Sequence, residues 1–422
     1  MKVLTTTLCY PTPDAPDQGV FVQRRAATVA SHPTVDLHVV APQPTCPLLR
    51  KASNYPATLG RSSTRYPRML SIPLLSRALD GWSFARTIER YIAGENAAGQ
   101  GPFDLIDAHF VYPDGVGAWR AGRRLGIPVV VTVRGKIVSL SQRTLRRLQM
   151  RAMLRGVQGV IAVSESLRDS VHRLAGSDVH VDVIPNGVDA ATFHWIDRQR
   201  ARKLLGWDAR LCYVLAVGHL QHVKGFDRLV DIWPRVRMTL GDVRLILAGS
   251  ERGERRYRRR LLAAIEACNT TTSIDDGSRS IHYVGAHHPQ DLNLMYNAAD
   301  LTVSASRSEG WSNAISESLA TGTPVVATAV GAVAQQIDPD ESGLIVPNGD
   351  DDALATAIVE GLGRDWNRPR IARNGAARTW QHTADEVLAV FERVLQARPR
   401  SAHAAGLDLL RQVNRSLLEA TP

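Results

Sequence analysis

At 422 residues the chain is too long for one ordinary hydrophobic core, so two domains of roughly 200 residues each are expected. Hydrophobic residues make up 44% and charged residues 22%, which is typical of a soluble globular protein, and no apolar run approaches the ~20 residues of a membrane-spanning helix. The net charge of +10 comes almost entirely from arginine, and it favours anionic partners such as phosphates or acidic lipid head groups. No zinc-ligand set or aromatic-glycine run indicates nucleic acid as the partner.

The N-terminal segment is predicted to form a strand, a loop, a helix and a second strand. Residues 2–8 form an apolar strand rather than a signal peptide, because prolines follow almost at once. A loop carrying Gly19 leads to a helix over 21–30 and a strand over 35–41, the order of a βαβ unit in a parallel sheet. The loop lacks the G-x-G-x-x-G pattern of dinucleotide sites. Gly19 either lets a ligand approach the backbone or is an ordinary turn glycine.

The next part of the chain contributes two candidate ligand-binding residues. Residues 42–80 are rich in Pro, Ser and Arg and are expected to form a long, mobile insertion. Strands are predicted over 105–108 and 128–133, and they are followed directly by His109 and Arg134. Ligands of open α/β sheets bind at the carboxyl ends of the strands, so both residues are candidates, although a lone histidine is more often structural.

A predicted helix over 141–156 carries one stripe of arginines, with apolar residues on another face. The stripe consists of Arg143, Arg147, Arg151 and Arg155. Such a helix either lies on an anionic membrane surface or packs on its own domain with a solvated basic face. The arginine-rich run at 252–260 is expected to be a solvated helix.

Strands and helices alternate again from about residue 210, which predicts a second parallel α/β domain. The predicted domains are an N-terminal domain at 1–200, a C-terminal domain at 201–385, and a helical segment at 386–422 that packs back toward the N-terminal domain. The four cysteines are scattered without metal-ligand spacing, as expected of reduced thiols in a cytosolic protein.

Two carboxylates, Glu309 and Glu317, stand eight positions apart at the start of a predicted helix. Ser312 and Asn313 are residue types that cap helix N-termini, and the helix is expected to end at Gly322. A helix N-terminus suits a phosphate, and carboxylates beside that phosphate would accept hydrogen bonds from sugar and ribose hydroxyls. Taken alone, the spacing is common by chance and favours a simpler interpretation, in which Glu309 is solvated and Glu317 only complements the helix dipole.

The chain resembles the retaining glycosyltransferases of family 4 (group 1) in four segments that occur in the family's order. The segments are VIPNGVDAATF at 183–193, VGHLQHVKGFDRLV at 217–230, SRSEGWSNAISESLATGTPVVAT at 306–328 and SGLIVPNGDDDALATAI at 342–358. Residues 42–80 and 400–422 lie outside the resemblance. It implies the GT-B fold, which is an α/β fold of two Rossmann-like parallel-sheet domains facing across a cleft that closes on the donor.

In the C-terminal half, the resemblance implies that Glu309 contacts the donor sugar and that Glu317 binds the ribose of the nucleotide. The backbone N–H groups that would cradle the diphosphate belong to Gly310, Trp311, Ser312 and Asn313. The indole of Trp311 either packs on the sugar or fills the wall of the cleft.

The family's glycine-lysine loop is matched by Gly218 and Lys224. The family has an arginine directly after that glycine, and this chain has His219. Whether His219 replaces the arginine stays open, because a histidine is neutral at pH 7 yet still forms hydrogen bonds. Lys224 stands out in a chain that strongly prefers arginine, and it supplies a compact charge on a flexible stem.

In the N-terminal half, many family members have His-Gly where this chain has Arg134 and Gly135. The resemblance implies that Arg134 binds phosphate groups of donor or acceptor with help from Lys136, and that the Gly19 loop closes over the diphosphate. The predicted catalytic residues are therefore Glu309, Lys224, Arg134 and His109.

The implied reaction moves a sugar from a nucleotide-diphosphate sugar to the hydroxyl of a sugar, lipid-linked or other acceptor, with retention at the anomeric carbon. No metal and no cofactor besides the donor substrate is expected, since the leaving diphosphate is stabilised by fixed cations and N–H groups. The expected role is polysaccharide or glycolipid assembly, in the cytoplasm or on the inner face of the plasma membrane. The alternatives are a sugar-nucleotide epimerase of similar architecture and a non-catalytic nucleotide-binding protein.

Overall fold

The computed structural model describes residues 1–46, 63–71, 78–252, 254–271 and 279–397, and within these the chain forms two compact units. The first unit is Met1–Pro185 together with the described part of Trp380–Pro422, and the second is Asn186–Thr379. The sequence placed the domain boundaries at residues 200 and 385, so the units divide somewhat earlier at both points. Much of the predicted insertion at 42–80 lies outside the described residues, as does the C-terminal segment from residue 398.

The first unit is built on a seven-stranded parallel sheet. Its strands β1–β9, two of which form a separate small sheet, are Lys2–Thr6, Asp36–Val40, Gln43–Thr45, Ser63–Arg65, Arg68–Leu70, Leu105–His109, Val129–Val133, Gly159–Ala162 and Asp182–Val183. Its helices α1–α6 are Val20–Ala30, Asp80–Ala97, Val116–Leu125, Ile137–Ser141, Thr144–Gly156 and Glu165–Ala175. The main sheet has the order β4-β2-β1-β6-β7-β8-β9, and β3 pairs with β5.

The inner strands of a parallel sheet that is covered on both faces must be apolar along their whole length. Every residue of β7 is buried, as is every residue of β6. The C-terminal helix α15, Trp380–Gln396, buries Val387 and Phe391 in the same core cluster as Val22 of α1. This helix therefore belongs to the core of the first unit although it follows the second unit in the chain.

The second unit repeats the architecture with six parallel strands. Strands β10–β15 are Cys212–Val217, Val243–Ala248, Ile281–Gly285, Leu301–Ser304, Val325–Thr328 and Gly343–Val346, in the order β12-β11-β10-β13-β14-β15. Helices α7–α14 are Arg198–Leu205, Phe226–Leu240, Arg255–Thr271, Pro289–Ala298, Asn313–Ala320, Val333–Gln336, Asp351–Gly363 and Arg368–Gly375. The prediction of two parallel α/β domains is thus confirmed.

The helix over 141–156 is the element whose faces differ most from expectation. Met150, Met153 and Leu154 of α5 are buried, whereas Leu145 is 63% exposed and Leu148 is 55% exposed. The apolar face predicted from the sequence is therefore only partly used for packing. No helix in the described ranges is both long enough and apolar enough to cross a bilayer.

Candidate active site

The central contact of the second unit joins the loop after β10 to the loop after β13. Lys224 Nζ donates a hydrogen bond to Glu309 Oε1 across 2.5 Å, and the hydroxyl of Ser306 donates to the same oxygen across 2.8 Å. The lysine side chain is 24% exposed and the glutamate side chain 11% exposed. The structure thus brings together two of the predicted catalytic residues, which are 85 positions apart in the chain.

The Glu309 loop is held by a close backbone approach. Gly331 has a φ of +58°, and a Cβ added there would lie 2.0 Å from the carbonyl oxygen of Glu309. Only glycine fits this position, because it combines a left-handed backbone with no space for a side chain. The small-residue turn after β14 therefore fixes the backbone from which the Glu309 side chain reaches Lys224.

The helix that follows Glu309 begins as predicted but is secured differently. Helix α11 starts at Asn313 with Ser312 in the N-cap position, yet the serine side chain makes no capping bond. Instead the amide of Gln336 accepts from the N–H of Ser312 across 3.1 Å and donates to its carbonyl oxygen across 2.8 Å. Asn186 donates a further hydrogen bond to the side chain of Asn313. A distant glutamine thus holds the loop before the helix, and it occupies the N–H of Ser312, one of the four N–H groups predicted to cradle the diphosphate.

The two aromatic side chains near this helix have different roles. Tyr296 is fully buried and donates from its hydroxyl to Glu317 Oε2 across 3.1 Å. Burial and the neighbouring Glu317 raise the pKa of Tyr296, so the phenol remains a donor. Trp311 is only half-buried, and its indole N–H bonds to the hydroxyl of Ser316. Tyr296 therefore orients Glu317, while Trp311 stays partly accessible to solvent.

The family's arginine position is occupied by a histidine that has a polar neighbour. His219 Nδ1 lies 2.7 Å from the hydroxyl of Ser250, and the backbone N–H of Gly218 donates to the last residue of β11.

An ion pair anchors the loop after β13, where Arg307 donates hydrogen bonds of 2.7 and 2.8 Å to the two carboxylate oxygens of Asp227. Bidentate pairs of this kind add geometric specificity as well as energy.

The first unit places the other two predicted catalytic residues in direct contact. Arg134 follows β7 and donates from Nε to His109 Nδ1 across 2.9 Å. His109 ends β6, is fully buried, and has Nε2 3.2 Å from Asp107 Oδ2. Asp107 is in turn paired with Arg25 of α1 across 2.5 Å. Burial favours the neutral acid, but Arg25 and His109 outweigh it and hold the pKa of Asp107 well below its usual range.

The start of α1 lies against the same cluster. The guanidinium of Arg134 stacks over the ring of Phe21 at 5.1 Å from its centroid. Gly19 precedes the helix with a φ of +68°, and a Cβ added there would lie 2.1 Å from the carbonyl oxygen of Cys9. The glycine is thus required by the tight approach of the loop to its own start, which supports the turn interpretation of this residue. Lys136 stands at the N-cap of α4.

Several residues that shape the site were missed from the sequence. Asp107 could have been found, because side chains two positions apart on a strand share a face and His109 was already a candidate. Arg25, Tyr296 and Gln336 gave no signal, since each reaches the site from an element whose pairing the sequence does not reveal. The predicted roles of all the site residues stay predictions, although their placement in two clusters is now defined.

The fold and the sequence together define the class of this protein. The model of "Glycosyl transferases group 1" matches residues 212–363, and that of "Glycosyltransferase Family 4" matches residues 27–192. The D-inositol 3-phosphate glycosyltransferase of Mycolicibacterium vanbaalenii is 30% identical over 325 residues, which cover 73% of this chain and 70% of that protein. The chain therefore belongs to the family 4 glycosyltransferases of group 1.

Solved structures show the fold over the whole chain. The sucrose-phosphate synthase of Thermosynechococcus elongatus is 22% identical with a TM-score of 0.69, and the match covers 100% of both chains. Anabaena HepE, solved in complex with UDP and glucose, is 18% identical with a TM-score of 0.65, over 94% of this chain and 98% of that one. The predicted GT-B fold is confirmed by these likenesses.

Proposed function

We propose that this protein transfers a sugar from a nucleotide-diphosphate sugar to an acceptor hydroxyl with retention of configuration. The bond between the anomeric carbon and the diphosphate oxygen breaks, a bond to the acceptor oxygen forms on the same face, and the acceptor proton leaves with the diphosphate. The observation that carries the proposal is the pair of Lys224 and Glu309 beside the start of α11. It supplies a mobile cation for the leaving group and a carboxylate for sugar hydroxyls.

Each side chain of the second unit then has one task. Lys224 and the N–H groups at the start of α11 stabilise the charge that develops on the diphosphate, which is the main requirement of this reaction. Glu309 accepts hydrogen bonds from sugar hydroxyls, and Glu317, oriented by Tyr296, accepts from the ribose. In the first unit Arg134, supported by Lys136, binds phosphate groups of donor or acceptor.

Cationic side chains rather than a metal ion neutralise the leaving group in this proposal. No group of three or more His, Cys, Asp or Glu side chains in the described part of the chain is arranged to hold a metal. Because Lys224 and the N–H groups at the start of α11 are assigned to the diphosphate, we expect transfer to proceed at the same rate in excess EDTA as in excess Mg²⁺. Activity that disappears in EDTA and returns with Mg²⁺ would show that the ion is required.

The test of the proposal is a product assay with a matched surface control. A thermal-shift screen against UDP-, GDP- and ADP-sugars first selects the donor by the nucleotide that stabilises the protein. Labelled donor is then incubated with and without sugar and lipid-linked acceptors. We expect transfer by the wild type, loss in Glu309→Ala and Lys224→Ala, and no change in Glu360→Ala on the exposed surface of α13.

The same assay separates the two alternatives. A sugar-nucleotide epimerase would alter the sugar of the donor in the absence of any acceptor. A non-catalytic binding protein would be stabilised by a nucleotide sugar but would leave it intact with every acceptor. Unchanged transfer in Lys224→Ala and Glu309→Ala would mean that the site has been assigned wrongly.

We further propose that the protein works at an anionic membrane surface, as expected for polysaccharide or glycolipid assembly. The exposed face of α5 carries Leu145 and Leu148 beside Arg147 and Arg151. Neither arginine pairs with a carboxylate among the residues that the structure describes. Apolar side chains flanked by unpaired cations are what an interfacial helix presents to an anionic bilayer.

A second arginine-rich helix provides the control for this surface. Helix α9 exposes Arg255 and Arg259, but no large apolar side chain is exposed along its described part. We expect binding to phosphatidylglycerol vesicles and not to phosphatidylcholine vesicles, weakened about tenfold or more by Arg147→Ser with Arg151→Ser. Arg255→Ser with Arg259→Ser should bind like the wild type. If both double substitutions weakened binding equally, vesicle binding would depend on net charge alone and not on the face of α5.

A further inference from the structure

Four buried side chains form a chain of contacts at the carboxyl edge of the first sheet. Arg25 Nη2 lies 2.5 Å from Asp107 Oδ1, and Asp107 Oδ2 lies 3.2 Å from His109 Nε2. His109 Nδ1 then receives the Nε–H of Arg134 across 2.9 Å. Asp107 Oδ2 also accepts from the hydroxyl of Thr5. The contacts therefore run without interruption from α1, through β6, to the residue that follows β7.

The donors and acceptors in this chain leave one arrangement for the imidazole. An arginine side chain only donates hydrogen bonds, and an ionised carboxylate only accepts them. His109 must therefore carry its proton on Nε2, facing Asp107, and keep a lone pair on Nδ1, facing Arg134. Burial, reinforced by Arg25, lowers the pKa of His109 to about 3, which agrees with a neutral ring.

We infer that His109 and Asp107 are positioning residues that fix the guanidinium plane of Arg134 for phosphate recognition. The inference rests on the proposed glycosyl transfer, in which Arg134 binds a phosphate group. His109 is 0% exposed, so it acts through Arg134 and does not contact the substrate. The hydrogen bond from Nε of Arg134 to His109 restricts rotation of the guanidinium plane, and the ring of Phe21 covers one face of that plane.

The orientation of the plane is what matters for an anion. A guanidinium recognises phosphate through a rigid, planar fork of N–H donors, so a rotated plane directs the donors away from the phosphate oxygens. Asp107 maintains the orientation by selecting the tautomer of His109. Without its carboxylate the ring could move the proton to Nδ1, and two N–H groups would then face each other at the contact with Arg134.

The inference predicts that an acceptor atom, rather than the imidazole itself, is needed at position 109. His109→Asn keeps an amide oxygen near the place of Nδ1, whereas His109→Leu has a similar size and no acceptor. We expect kcat/KM to fall roughly 10- to 100-fold in His109→Leu, the effect of a lost hydrogen bond to a charged group, and to stay within about threefold in His109→Asn. Equal losses in the two variants would overturn the inference.

A double-mutant cycle shows whether the effect passes through Arg134. In the Arg134→Ala background, His109→Leu should change kcat/KM by less than about twofold, because no guanidinium is left to position. Additive losses would assign His109 a separate role and contradict the inference. An Arg134→Ala variant with wild-type activity would contradict it as well, while transfer itself and the second-unit site would stand.

A readout that is independent of activity separates this inference from the proposed function. In ¹⁵N NMR of the histidine rings, with His109→Asn identifying the signal, the ring of His109 should be neutral and protonated on Nε2 from pH 5 to pH 8. A ring that titrates in this range, or that is protonated on Nδ1, would overturn the positioning role. If the wild type transfers no sugar, only the proposed function fails and the NMR result still decides the geometry.

Discussion

In the first unit Arg134 belongs to a buried network of hydrogen-bonded side chains. In the second unit Lys224 forms an ion pair with Glu309 that is partly exposed to solvent. The network contains two arginines, one ionised aspartate and one neutral histidine, so these four side chains keep a surplus of one positive charge. The pair in the second unit is neutral until a ligand competes for it.

The difference shows two ways to hold a cation for an anionic ligand. A buried network fixes direction before the ligand arrives, at the cost of taking several charges out of water. A partly exposed pair costs little to form and to break. In the proposed function, Lys224 therefore exchanges Glu309 for a phosphate while Glu309 turns to hydroxyl groups. Rigid and exchangeable cations should therefore respond differently to mutation.

The largest effect on stability is expected from Asp107→Ala. Removing the carboxylate leaves the guanidinium of Arg25 buried without its partner, which should lower the free energy of unfolding by about 3–5 kcal/mol. Urea unfolding followed by circular dichroism measures the loss. Asp36→Ala on an exposed side chain of the same sheet is the control. A loss below about 1 kcal/mol would show that the first network is no more rigid than the second.

The next effect is on catalysis and comes from Lys224→Ala. Loss of one group that stabilises the leaving diphosphate should lower kcat by about 10²–10³-fold. Its stability should change by only about 1 kcal/mol, because the pair with Glu309 is partly exposed. Steady-state kinetics and urea unfolding of the same sample test both halves. A large loss of stability with intact kcat would reverse the assignment.

A smaller, pH-dependent effect is expected from Asp114. It is buried like Asp107, but none of the residues that the structure describes places a cation beside it. Burial raises the pKa of Asp114 to about 7, although the N–H of Leu8 donates to its carboxylate and lowers it in part. The folded state then binds a proton that the unfolded state releases near pH 4. Stability from this group is present below pH 4 and is lost as the pH rises to about 7.

The matching variant is Asp114→Asn. Between pH 5 and pH 7 the titration of Asp114 should lower the unfolding free energy of the wild type by about 2 kcal/mol, and the variant should not show this decrease. Thermal unfolding across that range, with both proteins in the same buffers, checks the difference. Parallel curves for the two proteins would mean that Asp114 stays ionised, and the contrast with Asp107 would then need another cause.

Much of the fold could be predicted because its signals are local. The apolar run of β7 and the glycine that follows helix α11, Gly322, can each be recognised within a short segment of sequence. The parallel sheets could therefore be predicted from the sequence. The faces of α5 could not be predicted, because which side of an amphipathic helix packs inward depends on its neighbours. The arginine stripe was visible, but the exposure of Leu145 and Leu148 was not.

The residues of the candidate site also fall into a part that could be predicted from the sequence and a part that could not. The ordered motifs around Lys224 and Glu309 identified the pair before its geometry was known. The network behind Arg134 depends on contacts between α1, β6 and β7 that are 25 to 107 positions apart, and no local pattern specifies them. The residues predicted to touch a ligand lie in recognisable motifs, whereas Arg25 and Gln336, which hold other residues in place, lie in none.

Retaining sugar transfer is tested most directly by the anomeric configuration of the product that the wild-type protein forms. A donor selected by thermal shift, labelled with ¹³C in its sugar, is incubated with an acceptor, and the product is read by NMR. We expect a new glycoside with the configuration of the donor, and we expect Lys224→Ala to form none. A product of inverted configuration, or a donor converted to its epimer without transfer, would contradict this expectation.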